Sequence, residues 1–174
     1  MATLVWDTSP LLHAIKAGKI DVLGDIARNR WGGARRNVTT QAVISEISHF
    51  QLPLAGSEWL EIVHVDDINE IEALVNWMHL VSGAKSNHGE ATVLARAEVH
   101  RATAVVDDGD ARRIGRGAGL EVWGSLRVIA ESVSEGRTTP YAATALVDAM
   151  IGTGARYPCA QGQFIDWSKQ HGLL

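Results

Sequence analysis

The chain has 174 residues, 46% of them hydrophobic and 21% charged, with a formal net charge of −4. That is enough for one domain with a buried core, and it excludes a protein that grips nucleic acid by bulk charge; a polyanion needs a local basic patch or a bound cation. The single cysteine, Cys159, excludes a disulfide framework and a cysteine-based zinc site.

The N-terminal stretch "ATLVW" reads as a short buried strand cut off by Asp7. The early acid and the lack of a basic lead argue against a secretory signal. No apolar run reaches the length of a membrane span, so a cytoplasmic protein is expected. "SPLLHAIKAGKIDVLGDIA" reads as helix, with Ser9 as cap, Pro10 at the first helical position and a break at Gly18. "RNRWGGARR" is a basic loop around Trp31 that could grip single-stranded RNA or simply connect. A brief strand at Val38 leads into a helix capped by Thr39 or Thr40. "EWLEIVHV" is a plausible strand. "DDINEIEALVNWMHLV" is an amphipathic helix capped by Asp67, with Ile68, Ile71, Leu74, Val75 and Met78 on one face. After the loop "SGAKSNHG" come the helix "EATVLARAEVHR", the strand "ATAVV", the turn into helix "DDGDARRIGRGAG" and the short strand "LEVW". The helices "LRVIAESVSEG" and "PYAATALVDAMIGTG" follow, then a tail with one more short helix.

Strands alternating with helices imply an α/β fold with a parallel sheet, whose ligand sites lie at the strand C-terminal edge. Asp7 follows the first strand, and Asp107 and Asp108 follow "ATAVV", with Asp110 close behind. Two central parallel strands would bring these acids to the same edge. Glu46, two turns into its helix, and Glu90, at the start of another, are candidates for the same place. Like charges so close repel. A hard divalent cation such as Mg2+ or Mn2+ removes the conflict, and with open positions it can polarise a phosphodiester and lower the pKa of water.

Together "VWDTSPLL", "TTQAVISEI", "NHGEATVLARA" and "AVVDDGDARRIGRGAGLEVWGSLRVI" resemble the PIN domain, a metal-dependent ribonuclease fold. The resemblance covers roughly residues 3–135. It implies a three-layer α/β/α sandwich with a central parallel sheet. It places the family's acids on Asp7, Glu46, Glu90 and Asp108, as both catalytic residues and Mg2+ or Mn2+ ligands, with Asp107 and Asp110 as flanking ligands. A one-residue slip would exchange Asp107 for Asp108. Ser9 is the usual hydroxyl neighbour of the first acid. Many relatives are toxin ribonucleases that cut RNA, are held by a small antitoxin and form homodimers. The reading that follows is a PIN-like nuclease domain over residues 1–137, with 138–174 as a helical extension packed on it and given no role of its own.

Each candidate also has a plainer reading. Asp7 could cap its helix, Glu46 could be a solvated helix residue, Glu90 a first-turn acid and Asp110 a turn residue. Arg112 is left open as a phosphate contact, while Arg113 and Arg116 read as solvated or ion-paired. His88 is the one histidine near a candidate acid; Trp59, Trp77, Trp123 and Trp167 read as core or interface, and Cys159 as inert. Two other functions compete with the ribonuclease: a catalytically silent PIN fold that binds RNA or protein, and an aspartate-nucleophile phosphatase at "DTS". The second is disfavoured because Ser9 stands where its acid–base partner belongs.

Overall fold

The computed structural model describes residues 2–30, 33–52, 57–81 and 87–174. A parallel sheet of five strands forms the middle layer: β1 (Thr3–Trp6), β4 (Arg36–Thr40), β5 (Glu61–Val63), β6 (Thr103–Val105) and β7 (Val122–Trp123). The order across the sheet is β5-β4-β1-β6-β7. A small hairpin of β2 (Asn29–Arg30) and β3 (Gly33–Ala34) stands apart from it. The chain starts in the centre, builds outward through β4 and β5, then returns to the other side of β1. The strand order therefore reverses beside β1, and in open parallel sheets a crevice for ligands opens there.

Helices cover both faces. On one, α1 (Thr8–Lys16) and α2 (Ile20–Arg28) pack with α7 (Ser125–Ser134) and α8 (Pro140–Gly152), and α9 (Phe164–Gln170) packs on α8. On the other, α5 (His88–His100) lies across β1, β4 and β6, with α4 (Ile68–Leu80) against it. Helix α3 (Gln41–Ser48) touches both α1 and α5, and α6 (Gly109–Gly117) packs beside β7. This is the α/β/α sandwich the sequence implied. Its core is apolar: Leu4, Val5, Trp6, Val38, Leu94, Ala104 and Val105 are essentially inaccessible. No helix among the described residues is long and apolar enough to cross a membrane.

Local signals explain most boundaries. Gly18 takes φ +64°, a left-handed conformation that favours glycine, and so separates α1 from α2. Thr40, rather than Thr39, caps α3 by accepting the Val43 N–H. Asp67 and Glu70 form a reciprocal capping box on α4. Helix α1 begins at Thr8, so Ser9 lies inside it instead of capping it.

Most of the apolar stripe of α4 faces outward. Ile68, Ile71, Val75 and Met78 are exposed, and Glu70, Ala73 and Trp77 face inward. The reason is a charge cluster. Glu70 is 1% exposed and is bonded by Arg96, by His100 at 2.7 Å and by the Asp66 and Asp67 N–H groups. The basic loop also reads differently in the fold. Arg28 pairs with Asp25, Arg35 is buried against Glu131 and Arg36 forks onto Glu61, while Trp31 lies outside the described residues.

Candidate active site

Strand β1 ends at Trp6, and Asp7 follows; β6 ends at Val105, and Val106, Asp107 and Asp108 follow. The two strands pair in parallel, so both groups of acids leave by the same edge, at the reversal of strand order. The Asp7 N–H donates to the Val105 carbonyl at 3.0 Å and ties the two exits together.

Asp7 occupies the N-cap position of α1, yet its side chain makes no capping bond. Its Oδ1 is buried and has no hydrogen-bond partner. A capping aspartate would spend an oxygen on a helix N–H, so capping does not explain this residue. Burial pushes its carboxyl well above the usual range; Glu90, Glu46 and Asp107 push it further, against a lowering hydrogen bond from the Thr8 backbone.

Glu46 reaches the same edge from α3. The Thr8 hydroxyl donates to its Oε2, and the Gly89 N–H donates to Oε1 at 2.9 Å. A Cβ at position 89 would stand 2.6 Å from Oε2 and 2.7 Å from Oε1. A side chain at residue 89 would therefore push away the carboxylate that its N–H holds. This gives the Gly-Glu pair a physical meaning: Gly89 seats one acid and Glu90 supplies the next. Glu90 Oε2 is also buried without a partner. Burial first, then the charges of Asp108 and Glu46, push its carboxyl up to about 7.

The two aspartates after β6 do different work. Asp108 caps α6, its Oδ1 accepting the Ala111 N–H at 2.9 Å. Asp107 turns to the start of α7. It accepts the Ser125 N–H at 2.8 Å, the Ser125 hydroxyl at 2.8 Å and the Tyr157 hydroxyl at 3.3 Å. Burial raises its carboxyl, while the Ser125 bonds, Arg112 and Tyr157 lower it. Asp110 is exposed and paired with Arg113 at 3.0 Å. Arg112 donates to the carbonyls of Val106 (3.0 Å) and Asp107 (2.6 Å), bracing the loop that carries the acids.

Asp7, Ser9, Glu46 and Glu90 share one cleft of about 500 Å³ with Thr8, His13 and Asn87. Glu90 also faces a second cleft with Asp108 and Asp110. His88 is exposed and lines neither. His13 and His49 line the first cleft, and His13 is part of a hydrogen bond there. The His13 Nδ1 lies 2.9 Å from the Thr153 hydroxyl, and burial, then Lys16, hold the His13 pKa down. Nothing in its spacing singled it out except that it stands one turn from Ser9 on α1. Ser125 and Tyr157 were missed because their partner Asp107 is 18 and 50 residues away.

Among the described residues, no group of three or more His, Cys, Asp and Glu side chains is arranged to hold an ion as placed. What the edge offers is two buried anionic oxygens without partners, on Asp7 and Glu90, with Glu46 and Asp108 close enough to perturb them. Hard carboxylate oxygens are the donors Mg2+ and Mn2+ take, and a cation would offset the burial of both charges. The residues present therefore fit such an ion.

A family model described as a PIN domain matches residues 3–163. The chain belongs to the PIN domain family. PIN domains are generally nucleases, which are hydrolases, and typically use divalent metals. The matched stretch continues beyond residue 137, through α8 and Tyr157. No curated protein matches the sequence.

Proposed function

We propose that this PIN domain is a Mg2+- or Mn2+-dependent endoribonuclease of the toxin type. Asp7, Glu46, Glu90 and Asp108 would hold the cation, and RNA would be the substrate. The observation that carries this reading is the pair of buried, unpartnered carboxylate oxygens on Asp7 and Glu90 at the sheet's switch point. Left alone, such oxygens cost free energy; a bound cation turns the cost into affinity.

A divalent ion there supplies Lewis-acid polarisation of a phosphodiester oxygen and a lowered pKa for water. The chain's own residues do the rest. Gly89 and Thr8 fix the Glu46 carboxylate from two sides. Ser125 and Tyr157 fix Asp107, which in turn holds the β6 exit against the start of α7. Arg112 pins the same loop from beneath. The cleft beside Asp7 and Glu46 is roomy enough for a phosphate with its sugar, and Ser9 at its rim can donate to a phosphate oxygen. Asp107 and Asp110 are auxiliary, since their oxygens are largely spent on Ser125, Tyr157 and Arg113. A small antitoxin and a homodimer are the partners that fit this reading.

The test is cleavage of labelled single-stranded RNA by the full chain with Mn2+, with excess chelator, and with Asp7→Asn. Cleavage with Mn2+ and its loss in both controls is expected. No cleavage, with no Mn2+ binding by calorimetry, would leave a silent PIN fold that only binds.

A further inference from the structure

A separate concavity of about 340 Å³ has Asp107 in its lining and shares no lining residue with the Asp7–Glu46–Glu90 cleft. Four arginines line it: Arg112, Arg116, Arg127 and Arg156. Tyr157 and Trp167 give it aromatic walls. Among the described residues none of the four is in an ion pair within 4 Å, in contrast to Arg28, Arg35, Arg36, Arg96, Arg113 and Arg137. The one carboxylate lining the pocket is Asp107, already bonded by Ser125 and Tyr157.

The guanidiniums are also held in place. Arg116 forks onto the Val122 carbonyl through Nε (2.9 Å) and Nη2 (2.7 Å). Arg112 is anchored on the carbonyls of Val106 and Asp107. Arg127 lies over the Trp123 ring, 4.4 Å from its centroid. Four like charges gathered around one hollow repel, and burial together with Arg112 and Arg127 lowers the pKa of Arg116. A fold that braces such a cluster gains most from a polyvalent anion, and planar guanidiniums match phosphate oxygens two at a time.

We propose that this pocket, beside Asp107 and separate from the cleft of the acids, binds one phosphate of the nucleic-acid strand. The inference rests on the nuclease reading and gives the C-terminal segment a purpose: it lays Arg156, Tyr157 and Trp167 beside the site. A terminal phosphomonoester and an internal phosphodiester share this chemistry.

The experiment measures anisotropy of a labelled short single-stranded RNA on the full, metal-free chain across a range of salt. It uses oligonucleotides with a 5′-hydroxyl or a 5′-phosphate. Arg127→Gln/Arg156→Gln changes two exposed side chains; Arg156→Gln alone serves if the double variant misfolds. The double variant should bind about fivefold or more weakly at low salt and lose about 0.7 from the log–log salt slope, the value of one phosphate contact on a single strand. Tighter wild-type binding of the 5′-phosphorylated strand identifies a terminal phosphate; equal binding identifies an internal one. Unchanged affinity and slope in the variants would overturn the proposal. The two readings separate cleanly. Binding lost in the variants of a chain that never cleaves sinks the nuclease and spares the pocket. Cleavage at unchanged KM in the double variant sinks the pocket alone.

Discussion

Asp7→Asn should make the metal-free protein more stable while abolishing its chemistry. The substitution keeps the shape of the side chain and removes its charge. Asp7 is 3% exposed, its Oδ1 has no partner, and Glu90, Glu46 and Asp107 all disfavour its ionised form. What the amide removes is the buried charge, not the polar group, and relief of about 2 kcal/mol raises the melting temperature of a chain this size by about 4–8 °C. The pH dependence follows from the raised pKa. Below the ordinary aspartate value both forms are neutral there, so the wild type suffers no penalty. The penalty grows as pH rises through the folded-state value, so the variant's advantage is largest at pH 8 and fades toward pH 4. Mn2+ reverses the ranking, because binding to the native state lifts only the wild type. Scanning calorimetry of both proteins at pH 8 and pH 4, with and without Mn2+, checks each part, and RNA cleavage should fall by about 100-fold or more. A variant that melts below the wild type in chelator at pH 8, or keeps the full Mn2+ shift, would refute the reasoning.

Glu90, with its carboxyl pushed up to about 7, must lose a proton before it can hold a cation. Mn2+ affinity by calorimetry should therefore climb between pH 6 and pH 8, with proton release, and Glu90→Gln should flatten that dependence. In the metal-free protein the same raised value means that stability present below pH 4.5 declines as pH passes through about 7, a loss the Gln variant should escape in thermal melts. Gly89→Ala puts a methyl 2.6 Å from Glu46 Oε2. The Glu46 carboxylate, the end of a flexible side chain, must move aside, so stability should change little against a gain of about 1 kcal/mol in helix propensity, while cleavage should fall because the acid is displaced. Ser125→Ala strips the hydroxyl donor from Asp107, leaves the backbone N–H in place, and should cost about 1.5–3 kcal/mol in urea melts, whereas Tyr157→Phe, which removes a longer bond to Asp107 and a contact to the Ser125 hydroxyl, should cost less.

The site was legible where local chemistry carries it. Apolar strands ending in aspartate point to one edge of a parallel sheet, and a glycine directly before a glutamate at a helix start marks a close backbone approach. Thr40, Asp67 and Asp108 act as caps because short side-chain oxygens reach N–H groups two or three residues on. What could not be read depends on partners far along the chain. The outward side of α4 is apolar, and its inward Glu70 is matched by Arg96 and His100, 26 and 30 residues away. Periodicity finds the stripe and cannot say which side is covered. The same holds for Arg35, whose place in a basic loop says nothing of Glu131, 96 residues on.

The order in which the strands are laid down has a consequence for synthesis. A growing polypeptide that has emerged only as far as β5 contains Asp7 and Glu46 and none of the other acids. Strand β1 still lacks its neighbour β6, and the clamp from Tyr157 arrives later still. Truncated products and half-made chains on the ribosome thus carry only part of the candidate ligand set. On the proposed reading the set of four acids is complete only once Asp108 has been made, and the bond from Tyr157 that steadies its neighbour follows later.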